Sequence, residues 1–547
     1  MRLIDYLWNR GKRGTGQEGT PAGTESAEPG SVQPRFRVNP FVNFLMRASG
    51  EWPLSGPPPL TPLQYRALFK SDPSFVDYVP VCDYLDDEEA YVFNDGVNVA
   101  KIWRVQARYM CARSEDALAK FNEGLTRALD SLPVDGDAAE FPYVVQVFAR
   151  AVEADGVADD FEAAIAENGL SDDPLSREIA RVMRKHLKMM THEKGVFPDT
   201  RIRGETQGWR VADQAVWLCI YSKRPKKYWK KNKRSPAAQT KHDLSAFVNA
   251  LTSAGISLRP LKPHEFVNWL APYFGHERVT ADDLQERRKM ASFDLAQEVF
   301  HYAPLYHESN EPLERGIWQF GDDTWLRYLT IGAVDHPPRD GAATLGMQED
   351  DIDGKLISAS LFEQLPTGAM MTWTVIPQSA HQMQMEIDTI LNLSQDGASR
   401  RAKYATEQAL EVHEEMMRYN RRVFYVQMGV FLRARSLHEL LDVTERAVAV
   451  VSTSDCISIV PPQYDLISQD SFIRALPTVY DFAHDRKSAL RARKCYTAHL
   501  ASLLPFYGNK SGGVNPCYLM YSRTGEPFYL NPFHRNDRSR GSHEVFF

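Results

Sequence analysis

Apolar and polar positions alternate along most of the chain in patterns that predict both helices and strands. Over residues 114–132, Leu118, Phe121, Leu125 and Leu129 recur at helical spacing, and Ser114 stands where a helix N-cap is expected. Five more segments show helical patterns: 174–191, 241–254, 379–394, 399–422 and 436–451. Runs rich in β-branched and aromatic residues predict strands at 90–93, 97–105, 141–152, 215–221, 324–332, 370–376, 422–433 and 456–460. The pattern therefore predicts an α+β fold.

Two local features refine that prediction. Asn94-Asp95-Gly96 lies between two strand-like runs and predicts a β-hairpin, because Asp-Gly supplies the positive φ that such turns need. In the second half of the chain, the order strand, helix, strand after residue 422 suggests a ferredoxin-like or related α+β unit.

The helix predicted at 399–422 carries a seam of small and apolar residues. The seam consists of Ala402, Ala405, Ala409, Val412, Met416 and Tyr419. Such spacing permits close helix packing, so the seam is interpreted either as an ordinary buried helix face or as an oligomer contact.

Composition along the chain predicts four parts. Residues 1–60 form a flexible arm and a Pro-rich linker, because this region offers few apolar anchors to offset the entropy of ordering. Residues 61–310 and 311–495 are predicted as two mixed α/β lobes. Residues 496–547 form a third region, in which strands at 516–521 and 527–530 flank a turn and predict a C-terminal β-hairpin. Residues 543–547 look like the start of a buried strand, so we expect further chain after Phe547.

Overall composition limits the class of protein. The chain has 547 residues, 43% of them hydrophobic and 25% charged, with a net charge of −7. These values exclude a mainly disordered chain and argue against a wholly basic nucleic-acid-coating protein. The start of the chain lacks a secretory signal pattern, and the six cysteines form no CxxC unit, so we expect a cytoplasmic protein with free thiols. No apolar run is long enough to span a bilayer.

A search for self-contained chemistry finds no complete motif. A P-loop requires GxxxxGK[ST], and the nearest approach, 341–347, has Met347 where the lysine should stand. Neither an HExxH zinc motif nor a GxSxG nucleophile elbow is present. The sequence therefore predicts no catalytic, nucleotide-binding or metal-binding residues in this chain.

One segment is strongly basic. Residues 223–234 carry eight cations, with Tyr228 and Trp229 between them. The candidate contact residues are Lys223, Arg224, Lys226, Lys227, Trp229, Lys230, Lys231, Lys233 and Arg234. Three interpretations stay open: a solvated loop, a surface that docks on an anionic membrane or a protein, and a nucleic-acid contact that combines phosphate binding with base stacking.

The end of the chain resembles a known family. Residues 501–508, 516–519, 523–528 and 531–533 resemble the segment just upstream of the motor in the conjugative-transfer ATPases of type IV secretion systems, the TraC-type assembly ATPases. Residues 461–464 and 470–477 resemble the pre-motor region of the same family, and the resemblance extends over residues 70–547.

That resemblance implies a membrane-peripheral ATPase that powers pilus assembly and DNA transfer. In the family, a strand like 544–547 runs into the Walker A loop of a RecA-like motor, so the resemblance implies that this chain is the N-terminal portion and ends before the motor. ATP and Mg²⁺ are then expected only for the missing motor, and this chain should not hydrolyse ATP. Its implied role is docking and oligomerisation at the cytoplasmic side of the inner membrane. Its implied partners are inner-membrane secretion subunits and further copies of itself, with nucleic acid as the alternative partner through the basic segment.

Overall fold

The computed structural model describes residues 74–530 with internal gaps. The gaps are at 112, 153–155, 193–194, 199–207, 232–233, 291–292, 302, 335, 346, 351–355, 396–399, 420, 453–455, 489–490, 510–517 and 523. The predicted arm and linker at 1–60 and the strand-like end at 543–547 lie outside the described residues.

The described residues contain many helices and many strands. The helices are α1 (Glu115–Asp130), α2 (Asp137–Glu140), α3 (Gly156–Glu167), α4 (Pro174–Met190), α5 (Lys226–Lys231), α6 (Pro236–Asp243), α7 (Ser245–Ser253), α8 (Pro263–Leu270), α9 (Ala281–Arg288), α10 (Leu295–Val299), α11 (Leu361–Gln364), α12 (Ala380–Gln395), α13 (Arg400–Tyr419), α14 (Leu437–Ser452), α15 (Ser468–Ala475), α16 (Phe482–Ser488) and α17 (Thr497–Leu503). Short 3₁₀ turns occur at Phe75–Tyr78, Ala271–Phe274, Pro312–Glu314 and Pro462–Tyr464.

The strands are β1 (Val81–Leu85), β2 (Ala90–Phe93), β3 (Val99–Gln106), β4 (Arg108–Tyr109), β5 (Val144–Val152), β6 (Phe197–Pro198), β7 (Gly208–Trp209), β8 (Asp213–Tyr221), β9 (Ser257–Pro260), β10 (Leu305–Tyr306), β11 (Ile317–Phe320), β12 (Thr324–Val334), β13 (Met347–Asp350), β14 (Leu356–Ala359), β15 (Met370–Ile376), β16 (Val423–Ala434), β17 (Ile457–Ile459), β18 (Arg493–Tyr496), β19 (Tyr507–Gly508), β20 (Tyr518–Tyr521) and β21 (Pro527–Leu530). The predicted α+β fold class is confirmed.

Thirteen of the described strands belong to one antiparallel sheet. The two halves of this sheet have the same arrangement of strands when each half is followed inward from its own edge. The order is β1-β2-β3-β8-β5-β15-β16-β12-β11-β10, while β9 pairs with β3, β17 with β12 and β18 with β16. The two halves of this sheet meet where β5 pairs with β15, with Val147 opposite Trp373.

Each half of the sheet repeats the same succession of elements. In the first half, β3, α1, β5, the helix pair α3–α4, β8, α7 and β9 follow one another, and the strands lie in the order β9-β3-β8-β5. In the second half, β12, α11, β15, the helix pair α12–α13, β16, α14 and β17 give the order β17-β12-β16-β15. Both are the strand order of a ferredoxin-like unit with a helix pair inserted between its second and third strands.

Helices cover both faces of the sheet, and each face has its own hydrophobic core. Alternate residues of one strand face opposite sides, so Trp103 and Val105 join the core formed with α1, α7, α14 and α17. Ala100 and Ile102 join the core formed with α8, α10, α12 and α15. Because both faces are covered, β16 is buried along nearly its whole length, which explains why it is apolar except at Gln427 and Arg433.

The predicted hairpins are present. Asp95 accepts hydrogen bonds from the backbone N–H groups of Val97 and Asn98, each at 2.8 Å, and this shapes the turn between β2 and β3. Near the C-terminus, β20 and β21 pair as expected. Their turn docks on the first half of the chain through Gly525, where a Cβ would come within 2.2 Å of the Arg210 carbonyl oxygen.

Three further expectations from the sequence have different outcomes. The helix predicted at 241–254 is two helices, α6 and α7, which meet at Leu244. The predicted lobe 61–310 contains the first half of the sheet and also β10 of the second half, while β18 crosses the predicted boundary at residue 495. The sheet is continuous between the two lobes, and the lobe boundaries stay a prediction. The motor expected after Phe547 also stays a prediction.

Candidate interaction surfaces

The basic segment 223–234 connects β8 to α6. It leaves the buried end of β8, forms the short helix α5 and passes to Ser235, whose hydroxyl accepts from the Ala238 N–H and caps α6. Ser235 also donates to the Glu88 carboxylate at 3.0 Å. Both ends of the segment are therefore fixed to the folded core.

Arg224 lies inside the protein rather than on its surface. Its guanidinium stacks on the rings of Tyr143, Tyr228 and Trp229 at 4.8–5.5 Å. It also donates to the Tyr228 hydroxyl at 2.8 Å and forms an ion pair with Asp243 at 3.5 Å. Arg224 therefore holds the start of α5 against the core.

The two aromatic residues of the segment have internal partners too. The Trp229 ring N–H donates to Asn98 at 3.1 Å, and the same Asn98 oxygen accepts from the Arg224 backbone N–H at 3.0 Å. The Tyr228 hydroxyl donates to Asp137 at 2.9 Å. In this conformation, base stacking on these rings would compete with contacts they already make.

Lys223 is exposed but still makes a contact with the folded core. Much of its side chain is accessible to solvent, yet its ammonium donates to the Val479 carbonyl at 3.2 Å. Burial of the ammonium lowers the pKa of Lys223 to about 8.

The exposed part of the basic segment is smaller than its sequence suggests. The exposed cations are Lys223, Lys226, Lys227 and Arg234. Lys230 and Lys231 lie on α5 with side chains that are not described, and Lys233 lies outside the described residues. The nucleic-acid alternative receives no support from these contacts and stays a prediction.

A second surface was not anticipated from the sequence. Helix α4 carries Leu175, Ile179, Val182 and Met189 along one side, and all four are exposed. Together with His186 we call these residues the α4 stripe. Its regular spacing was visible in the sequence, but only the fold shows that its four apolar side chains are exposed.

Three residues of the α4 stripe, Ile179, Val182 and His186, form one wall of an open apolar groove of about 400 Å³, together with Glu178 and Met183. Leu519 and Tyr521 of β20 form the other wall. The Tyr521 ring lies against His186 and Trp209, which fixes the hairpin beside α4. The groove is thus built by the first half of the sheet and the C-terminal hairpin.

The polar side of α4 is neutralised by neighbouring acids. Arg184 pairs with Asp159 at 2.8 Å and with Glu162 at 2.6 Å, both on α3. Arg177 pairs with Asp172 at 2.6 Å. The surface around the stripe therefore carries mixed charge rather than a positive field.

The seam on the long helix α13 packs inside the protein where it is described. Ala409 is buried, and Val412 and Met416 pack against the core that α13 shares with α12. The ordinary helix-face interpretation is confirmed at these three positions; the side chains of Ala402, Ala405 and Tyr419 are not described.

The glycine-containing loop that comes nearest to a P-loop has a structural role where it is described. The loop at 341–345 is held by the Thr344 hydroxyl, which donates to the Tyr507 carbonyl at 2.8 Å. Across the described parts of the chain, no three His, Cys, Asp or Glu side chains are grouped to hold a metal ion. Nor does this part contain a helix long and apolar enough to cross a membrane.

Comparison with known proteins adds a family to this geometry. A family model described as TraC protein matches residues 75–480, from the 3₁₀ turn before β1 to the segment after α15. The match takes in both halves of the sheet and covers most of the 547 residues. No curated protein matches the chain. The chain belongs to the TraC family of conjugative transfer proteins of F-type type IV systems.

Proposed function

We propose that this chain is the docking and oligomerisation part of a conjugative DNA-transfer ATPase. The observation that carries the proposal is the family match over residues 75–480, a region that contains nearly all of the 13-stranded sheet. The sheet is a rigid scaffold, since it is buried on both faces and its strands pair without interruption where the halves meet.

Exposed apolar surface supports a role in protein contacts. The α4 stripe and the groove beside it present large apolar side chains to solvent on a helix that is otherwise fixed by ion pairs. Contiguous apolar patches with polar rims are typical of protein interaction sites.

We place the protein at the cytoplasmic face of the inner membrane, in contact with membrane subunits of the secretion system. The exposed Lys226 and Lys227 agree with such a position, because cations near an anionic bilayer are attracted to it. Salt should then release the protein from membranes, as Debye screening weakens such contacts.

We further propose that this chain does not hydrolyse ATP itself. Its 547 residues contain no GxxxxGK[ST] sequence, so no lysine is placed to reach the phosphates. ATP and Mg²⁺ would be bound only by a motor outside this sequence. A measurable, saturable ATPase rate from the purified chain would contradict this part.

The experiment that tests the proposal is conjugation from donor cells that lack the protein. Transfer frequency should fall to background and return when the chain is supplied as part of its native gene product. A tagged copy should co-purify with inner-membrane secretion subunits and leave the membrane fraction in high salt. Unchanged transfer in the deletion strain would overturn the proposal.

A further inference from the structure

The two helix pairs inserted into the sheet halves differ in how many apolar side chains a single helix leaves exposed along one side. In the second half, α12 and α13 bury Met383, Ile387 and Ala409 against the core of the sheet. In the first half, α3 and α4 occupy the same place in the order of elements, yet the α4 stripe is exposed. Leu175 is 68%, Ile179 43%, Val182 53% and Met189 58% accessible. The second pair also exposes apolar side chains, at Met385, Leu410 and Met417, but α4 exposes four of them along one side.

The spacing of the stripe indicates what would cover it. Leu175, Ile179, Val182, His186 and Met189 follow one another in steps of four, three, four and three residues. A seam with this alternation faces a partner helix in a coiled coil, where each side chain inserts between four of the partner. The 17 residues of α4 make a seam about 25 Å long.

The charges beside the stripe favour a second copy of the same helix. Glu178 and Lys185 flank the seam seven residues apart on one side. Two α4 helices that run antiparallel place Glu178 of each copy beside Lys185 of the other, so two ion pairs form from one arrangement. A parallel arrangement offers no such pair. A bilayer is a poorer match, because Arg177 and Arg184 are already neutralised by acids.

Present contacts do not prevent this pairing. Glu178 now bonds to Arg181 on its own helix, and both side chains are more than half exposed. Exposed ion pairs contribute little to stability, so Glu178 can exchange one partner for another at small cost. The groove wall of Leu519 and Tyr521 would add contact area beside the helix pair.

We infer that α4 is a self-association helix, through which two copies of this chain pair antiparallel with the two-fold axis between Ile179 and Val182. The inference deepens the oligomerisation part of the proposed function and rests on it for its biological purpose. The contact itself is measurable without reference to conjugation.

The test is sedimentation velocity of the purified full chain from about 1 to 100 µM. The wild type should associate to a dimer with rising concentration. Val182→Asp should abolish the dimer, because it places a charge in the seam. Met417→Asp is the matched control, since Met417 is equally exposed on α13 but lies outside the stripe. It should leave the dimer intact.

A charge exchange makes the test specific to the antiparallel pair. Lys185→Glu should weaken the dimer about tenfold, because both ion pairs become repulsions. Glu178→Lys combined with Lys185→Glu should restore wild-type affinity. Circular dichroism should show that all variants stay folded, as the substituted residues are exposed.

Three results would overturn the inference: a wild type that stays monomeric, a dimer that survives Val182→Asp, or a double variant that fails to regain affinity. None of these results would by itself remove the conjugation role, which depends on loss of transfer in the deletion strain. The two proposals therefore fail separately.

Discussion

Gln146 on β5 holds Thr478 in a left-handed backbone conformation. The Gln146 side-chain oxygen accepts from the Thr478 N–H at 2.7 Å, and its amide nitrogen donates to the Leu476 carbonyl at 3.2 Å. Thr478 has a φ of 67° and is fully buried. Since Gln146 belongs to the first half of the sheet and Thr478 follows the second, this contact ties the end of the family-matched region to the middle of the sheet.

Replacement of Gln146 by leucine should destabilise the protein by about 2–3 kcal/mol. The substitution keeps the volume but leaves the buried Thr478 N–H without the Gln146 acceptor, and an unsatisfied buried donor is costly. The Leu476 carbonyl loses one donor but still accepts from the Val479 N–H at 3.3 Å. Urea denaturation followed by circular dichroism measures the change. Lys226→Ser, at an exposed position, serves as the control and should change stability by less than about 0.5 kcal/mol. A Gln146→Leu variant as stable as wild type would show that this bond pair is dispensable.

Thr478 itself should prefer glycine to alanine. A β-branched residue at positive φ is strained, and glycine relieves that strain while alanine does not. Both substitutions remove the hydroxyl and the branch, so their difference isolates the backbone. We expect Thr478→Gly to be more stable than Thr478→Ala by about 1 kcal/mol. Equal stability of the two variants in urea would mean that the left-handed conformation is not kept in solution.

Arg224 should act on stability, whereas Lys226 and Lys227 should act on binding. Arg224→Leu removes a buried cation from three aromatic rings and leaves Asp243 without its guanidinium partner, at a cost of about 3 kcal/mol. Lys226→Ser with Lys227→Ser should leave the urea midpoint unchanged, because both side chains are exposed. The double variant is then the proper probe of anionic vesicles or DNA. Equal destabilisation by the two changes would contradict the assignment.

The strands and long helices were predictable because each has its own local pattern of apolar residues in the sequence. β16 is an almost entirely apolar run, and α14 carries its buried residues at helical spacing. The symmetry of the sheet was not predictable, since it lies in strand order rather than in repeated residues. β5 and β15 occupy equivalent places, yet they read VVQVFARAV and MMTWTVI.

The surfaces were predictable only in part, for a related reason. Charge in a sequence suggests exposure, but Arg224 lies three residues after the end of the buried strand β8 and packs among Tyr143, Tyr228 and Trp229. The spacing of the α4 stripe could be read in the sequence, but its exposure depends on where the rest of the chain packs. Tertiary contacts decide both cases, and a linear pattern does not contain them.

The pair His276 and His301 should make the protein sensitive to mild acid. Their rings stack with centroids 4.7 Å apart, and burial, with a smaller contribution from His301, lowers the pKa of His276 to about 4. The unfolded chain binds a proton at this residue near pH 6.5, so the folded state loses stability as pH falls from 6.5 towards 4 and keeps it above 6.5. Because His276 is only partly buried, solvent screens part of this effect, and the expected loss between pH 7.5 and pH 5 is about 1 kcal/mol. It should appear as a shallower pH dependence of the urea midpoint in His276→Asn than in wild type. His438→Asn, at an exposed position on α14, should keep the wild-type dependence. A His276→Asn variant whose stability falls with acid as steeply as that of wild type would show that His276 stays protonated in the folded state.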